Sequence, residues 1–108
     1  MELHCRLTST AGFPVLQVSG EIDLATLPTL RDQLARAVGL HAADTLFVDL
    51  DSVTALDDTG LGMLLGAAAR AREAGGDLVV VCSGERLLHR FALTGLDRAV
   101  TVRPHLHG

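Results

Sequence analysis

Apolar and polar residues alternate at the start of the chain, with Leu3, Cys5 and Leu7 on one side and His4, Arg6 and Thr8 on the other. That period of two predicts a strand with one wet face. Gly12-Phe13-Pro14 reads as a turn and VLQVSG (15–20) as a second strand, and so short a link favours an antiparallel pair. Leu27, Leu30, Leu34 and Val38 then recur at helical spacing, with Thr26 as N-cap, Pro28 in the tolerated first turn and Gly39 as the stop. TLFVDL (45–50) is almost uniformly apolar, as in a central strand covered on both faces. A second helix is expected from about Thr59 to Ala74, closed by Gly75 and Gly76, and DLVVVC (77–82) repeats the buried-strand pattern. Ser83 is placed to cap a third helix that puts Leu87, Leu88, Phe91 and Ala92 on one face and stops at Gly95. AVTVRP (99–104) reads as a last strand and HLHG (105–108) as a tail.

The order β-β-α-β-α-β-α-β predicts an α/β fold with a mixed, mostly parallel sheet of about five strands and helices packed on it. The 108 residues suffice for one modest core, and no linker or repeat divides them, so residues 1–108 are read as one domain. A net charge of −4 gives no basic footprint for nucleic acid or anionic lipid. MELHCRLTST lacks the charged and apolar regions of a signal peptide, and the longest apolar stretch, Gly60 to Ala69, is too short to cross a bilayer. The expectation is a cytoplasmic protein with no membrane or direct nucleic-acid partner. Cys5 and Cys82, without a CxxC or a histidine pair at zinc spacing, read as reduced core residues.

Candidate chemistry centres on ALDDTGLGMLLG (55–66). Gly60, Gly62 and Gly66 approach a dinucleotide fingerprint, but nine residues separate Leu50 from Gly60, and Asp77 opens the following strand instead of closing it. The alternative is packing, with Gly62 and Gly66 one turn apart letting the helix lie close on the sheet. Asp49, Asp51, Asp57 and Asp58 gather where the third strand is expected to exit, so a weak divalent site competes with a solvated loop. His105 and His107 sit in the tail, and Ser19, Ser52 and Ser83 lack the setting of a hydrolase nucleophile, so no enzyme is expected. Asp58 can cap the second helix, whose free N–H groups and partial positive charge favour a carboxylate or phosphate.

VDLDSVTALDDTGLGMLLGAAARA (48–71) closely resembles the central signature of the STAS domain family, specifically the bacterial anti-sigma factor antagonists, with their Asp-Ser-Ser/Thr-Gly-Leu-Gly motif. VSGEIDLAT (18–26) is similar to that family's second strand and Gly-Glu-Leu/Ile-Asp turn, and FALTGLDRAVTV (91–102) to its C-terminal segment. The resemblance implies no cofactor. It implies instead binding of an anti-sigma factor, a serine-protein kinase of the histidine-kinase-like ATPase type, with release of a sigma factor for transcription. In the family the kinase ends the interaction by phosphorylating the motif's first hydroxyl residue. By position, Asp57 matches the motif's aspartate, Asp58 the phosphoacceptor serine and Thr59 the second hydroxyl, with Gly60, Leu61 and Gly62 following. The implied partner-binding set is Glu21, Asp23, Asp57, Asp58, Thr59, Gly60, Leu61, Gly62 and Met63. Asp58 departs from the pattern, because a carboxylate cannot become a Ser-type phosphoester. Asp58 then imitates the phosphorylated state, or is accommodated by an adapted partner, or leaves Thr59 as alternative acceptor. A different class, a STAS-type small-ligand or nucleotide sensor, fits the glycine-rich helix start, and the oligomeric state is left open.

Overall fold

The computed structural model describes residues 2–106, so His107 and its place in the tail lie outside the described residues. Strands β1 (Leu3–Thr10) and β2 (Phe13–Ile22) form an antiparallel hairpin. Its two-residue turn is Ala11-Gly12, both with positive φ, +53° and +85°, the primed geometry whose twist suits a hairpin. Phe13 and Pro14 therefore belong to β2 and not to the turn. Pro14 is tolerated because the parallel pairing of β2 with its other neighbour begins only at Val15.

Helix α1 (Leu27–Leu40) follows, one residue longer than Gly39 suggested, and then β3 (Thr45–Leu56), α2 (Asp58–Glu73) and β4 (Asp77–Val81). Helix α3 (Glu85–Thr94) ends at Gly95, a single-turn helix α4 (Leu96–Ala99) comes next, and β5 (Thr101–Arg103) completes the sheet. The strands lie in the sheet in the order β1-β2-β3-β4-β5. The first pair is antiparallel and the later ones parallel, as expected. Gly75 and Gly76 close α2, their N–H groups donating to the Arg72 and Ala71 carbonyls at 3.0 and 2.9 Å.

The expectation that the central strands are covered on both faces holds only in part. Leu16, Val48, Val80 and Val102 face the helices and join one core with Leu30, Leu34, Leu64 and Phe91. Among the described residues no helix packs on the opposite face. There Val15, Phe47, Val79 and Val81 form a smaller cluster against Leu106, and Phe13 meets Phe47 edge-on with ring centroids 5.4 Å apart. Ala92, expected on the core face of α3, is exposed, which leaves Phe91 as that helix's one buried residue.

Strand β3 runs six residues beyond Leu50 and takes up the segment read as a solvated loop. Between Gln17 and Ser19 of β2 the register of β3 advances from Asp49 to Ser52, and between Gly20 and Glu21 it advances from Val53 to Ala55. Each step inserts one extra β3 residue, a bulge that breaks strict alternation and bends the strand. Ser83 is not a helix cap. Its N–H and hydroxyl both donate to Asp51 Oδ1, at 2.6 and 3.1 Å, pinning the end of β4 to the first bulge, and Gly84 occupies the cap position.

Candidate functional site

The carboxyl ends of β2 and β3 lie side by side, with Glu21 opposite Ala55 and Ile22 opposite Leu56. One backbone bond, Asp57 N–H to the Ile22 carbonyl at 3.2 Å, ties the start of α2 to the end of β2. The two acidic segments of the sequence thereby become neighbours.

Asp57, not Asp58, caps α2. Its backbone is extended (φ −90°, ψ 176°) and its Oδ1 accepts from Gly60 N–H at 3.0 Å and from the Thr59 hydroxyl at 2.6 Å. Those two bonds are stronger to the ionised carboxylate, so they hold the Asp57 pKa below its ordinary value of 3.8, the Thr59 hydroxyl contributing most, with Gly60 N–H next and the Arg90 charge adding a little. A lowered folded-state pKa means a stabilisation present in full above the ordinary value and lost as pH falls through the folded one. Asp57→Asn keeps a capping oxygen but cannot titrate. Urea unfolding followed from pH 6 down to pH 2.5 is expected to show a shallower acid loss of stability in the variant than in the wild type.

Asp58 is the first residue inside the helix, its side chain 86% exposed, and its Oδ1 accepts a hydrogen bond from Arg90 Nη2 at 2.7 Å. Arg90 comes from α3, thirty-two residues away in sequence, and nothing in the local pattern announced the pair. Thr59 and Gly62 are exposed, Glu21, Asp23 and Met63 are partly buried, and Gly60 and Leu61 are buried. The structure thus brings the predicted residues to one corner but separates an outward set from an inward one.

The close approach falls at a different glycine from the one expected. A Cβ on Gly62 would meet nothing within 4 Å and one on Gly66 only the Arg70 guanidinium, whereas a Cβ on Gly60 would stand 2.5 Å from Ile22 Cγ2 and 2.6 Å from Leu56 Cδ1. Because β3 reaches Leu56, the nine-residue gap that weighed against a dinucleotide loop does not exist. Gly60 nevertheless lies inside the first helical turn, against Ile22 and Leu56, and Asp77 still opens β4.

Thr26 was read only as a cap, yet it organises the second segment. Buried to 6% exposure, its hydroxyl donates to the Glu21 carbonyl at 2.8 Å and accepts from Asp23 N–H at 3.0 Å, while Asp23 Oδ1 accepts from Thr26 N–H at 3.0 Å. The reciprocal bonds shape the Glu21–Asp23 turn and leave Leu24 76% exposed beside it. Thr26→Val is isosteric but strands a buried donor and acceptor, and is expected to cost about 1–3 kcal/mol in urea unfolding.

Cys82 is buried and Cys5 half-buried; both are free thiols, with pKa values pushed up by burial. Among the described residues no three His, Cys, Asp or Glu side chains come together as a metal-holding group, and no helix is long and apolar enough to cross a membrane. A groove of about 350 Å³ lies on the helix-free sheet face, where Arg6, Gln17, Ser19, Asp49 and Ser52 line it beside the first bulge.

The family model for the STAS domain matches residues 5–108. The anti-sigma-B factor antagonist of Bacillus subtilis (strain 168) is 32% identical over 93 residues, covering 86% of this chain and 84% of that one. The crystal structure of an anti-sigma factor antagonist from Mycobacterium paratuberculosis superposes with a TM-score of 0.87 at 30% identity, over 97% of this chain and 88% of the other. The phosphorylated form of the Bacillus cell fate determinant SpoIIAA shares the fold, with a TM-score of 0.67 at 18% identity over 94% of this chain and 93% of that one.

Proposed function

This chain belongs to the STAS domain family, and we propose from that membership that it is an anti-sigma factor antagonist whose partner is a serine-protein kinase of the histidine-kinase-like ATPase type. The observation that carries the reading is the corner at the start of α2. The exposed Asp58 and Thr59 stand on a helix end fixed by Asp57 and tied by a backbone bond to the turn that bears Glu21 and Asp23. Such a corner suits a regulatory contact because its backbone is held from two strands while the side chains of Asp58 and Thr59 remain exposed to a partner. Complex formation sequesters the anti-sigma factor and so frees a sigma factor for transcription, in the cytoplasm.

Position 58 sets this chain apart within that scheme. A phosphoserine carries about −1.5 to −2 charges and three acceptor oxygens, whereas an aspartate carries about −1 and two. The off-switch by serine phosphorylation has no acceptor here, and the Thr59 hydroxyl is engaged by Asp57. Calorimetry with the anti-sigma factors of the same genome tests the reading, and failure of both the wild type and Asp58→Ser to bind any of them would sink it. With a binding kinase and ATP, mass spectrometry is expected to find wild-type residues 58 and 59 unmodified and strong phosphorylation only after Asp58→Ser. Strong modification of wild-type Thr59 would overturn that part.

A second reading, a small-ligand sensor, has the groove on the helix-free sheet face in its favour, with Arg6 and Asp49 offering opposite charges to a polar ligand. A thermal shift with a nucleotide or amino acid that is lost in Arg6→Ala would support it over the first.

A further inference from the structure

Building on the reading of residues 57–62 as a partner face, we propose that Arg90 is a built-in counter-ion for Asp58, so that position 58 meets the partner as a closed ion pair instead of a free carboxylate. The chain is then fixed in its binding-competent form, and neither mimicry of phosphoserine nor a rebuilt partner is needed.

The placement of Arg90 is the first support. It precedes Phe91, the one fully buried side chain of α3, so its backbone is anchored, and its Nε is buried with no hydrogen-bond partner among the described residues. The stem thus emerges from the core, and Nη2 reaches Asp58 Oδ1 at 2.7 Å. The same guanidinium lowers the pKa of Asp57, so its charge bears on both acids of the corner.

Charge counting supplies the second. Asp58 and Arg90 sum to about zero, whereas a phosphoserine in the same place would leave roughly −0.5 to −1 uncompensated. In the free protein this pair counts for little, because Asp58 is exposed and water screens it. Its effect appears when a partner covers the corner. A lone carboxylate stripped of water is disfavoured, while one already paired with a guanidinium loses much less. The pair also has room for a partner, since Arg90 holds only one of the two carboxylate oxygens.

The test is a double-mutant cycle in calorimetry with the anti-sigma factor that binds the wild type, using Arg90→Gln, Asp58→Asn and the double variant, each checked for folding by circular dichroism. Arg90→Gln exposes an uncompensated carboxylate and is expected to weaken binding about 10-fold or more, and the neutral double variant to return to within about 3-fold of the wild type. Effects that simply add, or single variants within about 2-fold of the wild type, would overturn the inference. Binding by Asp58→Ser but not by the wild type would also overturn it while upholding the partner face, whereas no binding by either defeats the underlying reading. A readout free of any partner is the NMR signal of the Arg90 Nε–H, expected to move in Asp58→Asn. An unmoved signal means there is no pair, and the inference fails on that result alone.

Discussion

Phe91→Ala is expected to lower the unfolding free energy by about 3–5 kcal/mol, a large share of the 5–15 kcal/mol that holds a domain of this size together. The ring is 0% exposed and lies in the main core with Leu64, Leu78, Leu96 and Val100. Helix α3 has no other fully buried side chain, Leu87 and Leu88 being only partly covered, so no neighbouring contact compensates for the cavity. At roughly 4–8 °C per kcal/mol for a small domain, the midpoint of thermal unfolding should fall by more than about 10 °C. Hydrogen exchange should show the amides of α3 opening well before those of β2 and β3. A loss below about 1 kcal/mol, or uniform exchange across the chain, would show that α3 is held by something other than this ring. Because Arg90 immediately precedes Phe91, the same substitution should also loosen its contact with Asp58.

The parts of this molecule that could be read in the chain are those governed by local periodicity. The alternation in β1 and the 3.6-residue spacing of α1 each follow from one buried face, and the apolar runs of β3 and β4 from two, so five strands in the right order along the chain follow directly from the pattern. The far half of β3 was illegible because two bulges destroy its alternation: Asp51, Ser52 and Thr54 are exposed while Val53 and Leu56 are buried, which has no period of two. The helix-free sheet face was misjudged since an apolar strand tells that both its sides are dry but not what dries them, and here Phe13 and Leu106 contribute in place of a helix. At the candidate site the helix start was located to within one residue. The choice between Asp57 and Asp58 as cap depended on which carboxylate turns back to the Gly60 N–H, a matter of backbone angle that either sequence position would permit. Thr26 and Arg90 escaped for the same underlying reason. Their roles depend on partners at Glu21, Asp23 and Asp58 that only the folded chain brings close.

Gly60→Val is expected to cost about 3 kcal/mol, near the upper end for overpacking, and to abolish partner binding beyond what the lost stability explains. The first added carbon alone would lie 2.5 Å from Ile22 Cγ2 and 2.6 Å from Leu56 Cδ1, and both of those side chains are almost fully buried, so neither can swing aside. Relief must come from lifting the first turn of α2 off the sheet. That movement pulls against the Asp57 N–H bond to the Ile22 carbonyl and the Asp57 cap on Gly60 N–H, the two contacts that set Asp58 and Thr59 in place. Gly60→Ala should fall between the wild type and Gly60→Val in stability. Gly62→Ala, where a Cβ meets nothing within 4 Å, should be neutral or slightly stabilising, since alanine is favoured over glycine within a helix by about 1 kcal/mol. Urea unfolding of the three variants, paired with calorimetry at a temperature where each remains folded, separates the two effects. If Gly60→Val binds like the wild type while folded, the seating of α2 against Ile22 and Leu56 serves stability alone, and the position of Asp58 is set from elsewhere. If binding falls while the fold persists, the buried glycine is what registers the acidic helix start against the end of β2, and one packing contact couples the core to the recognition surface.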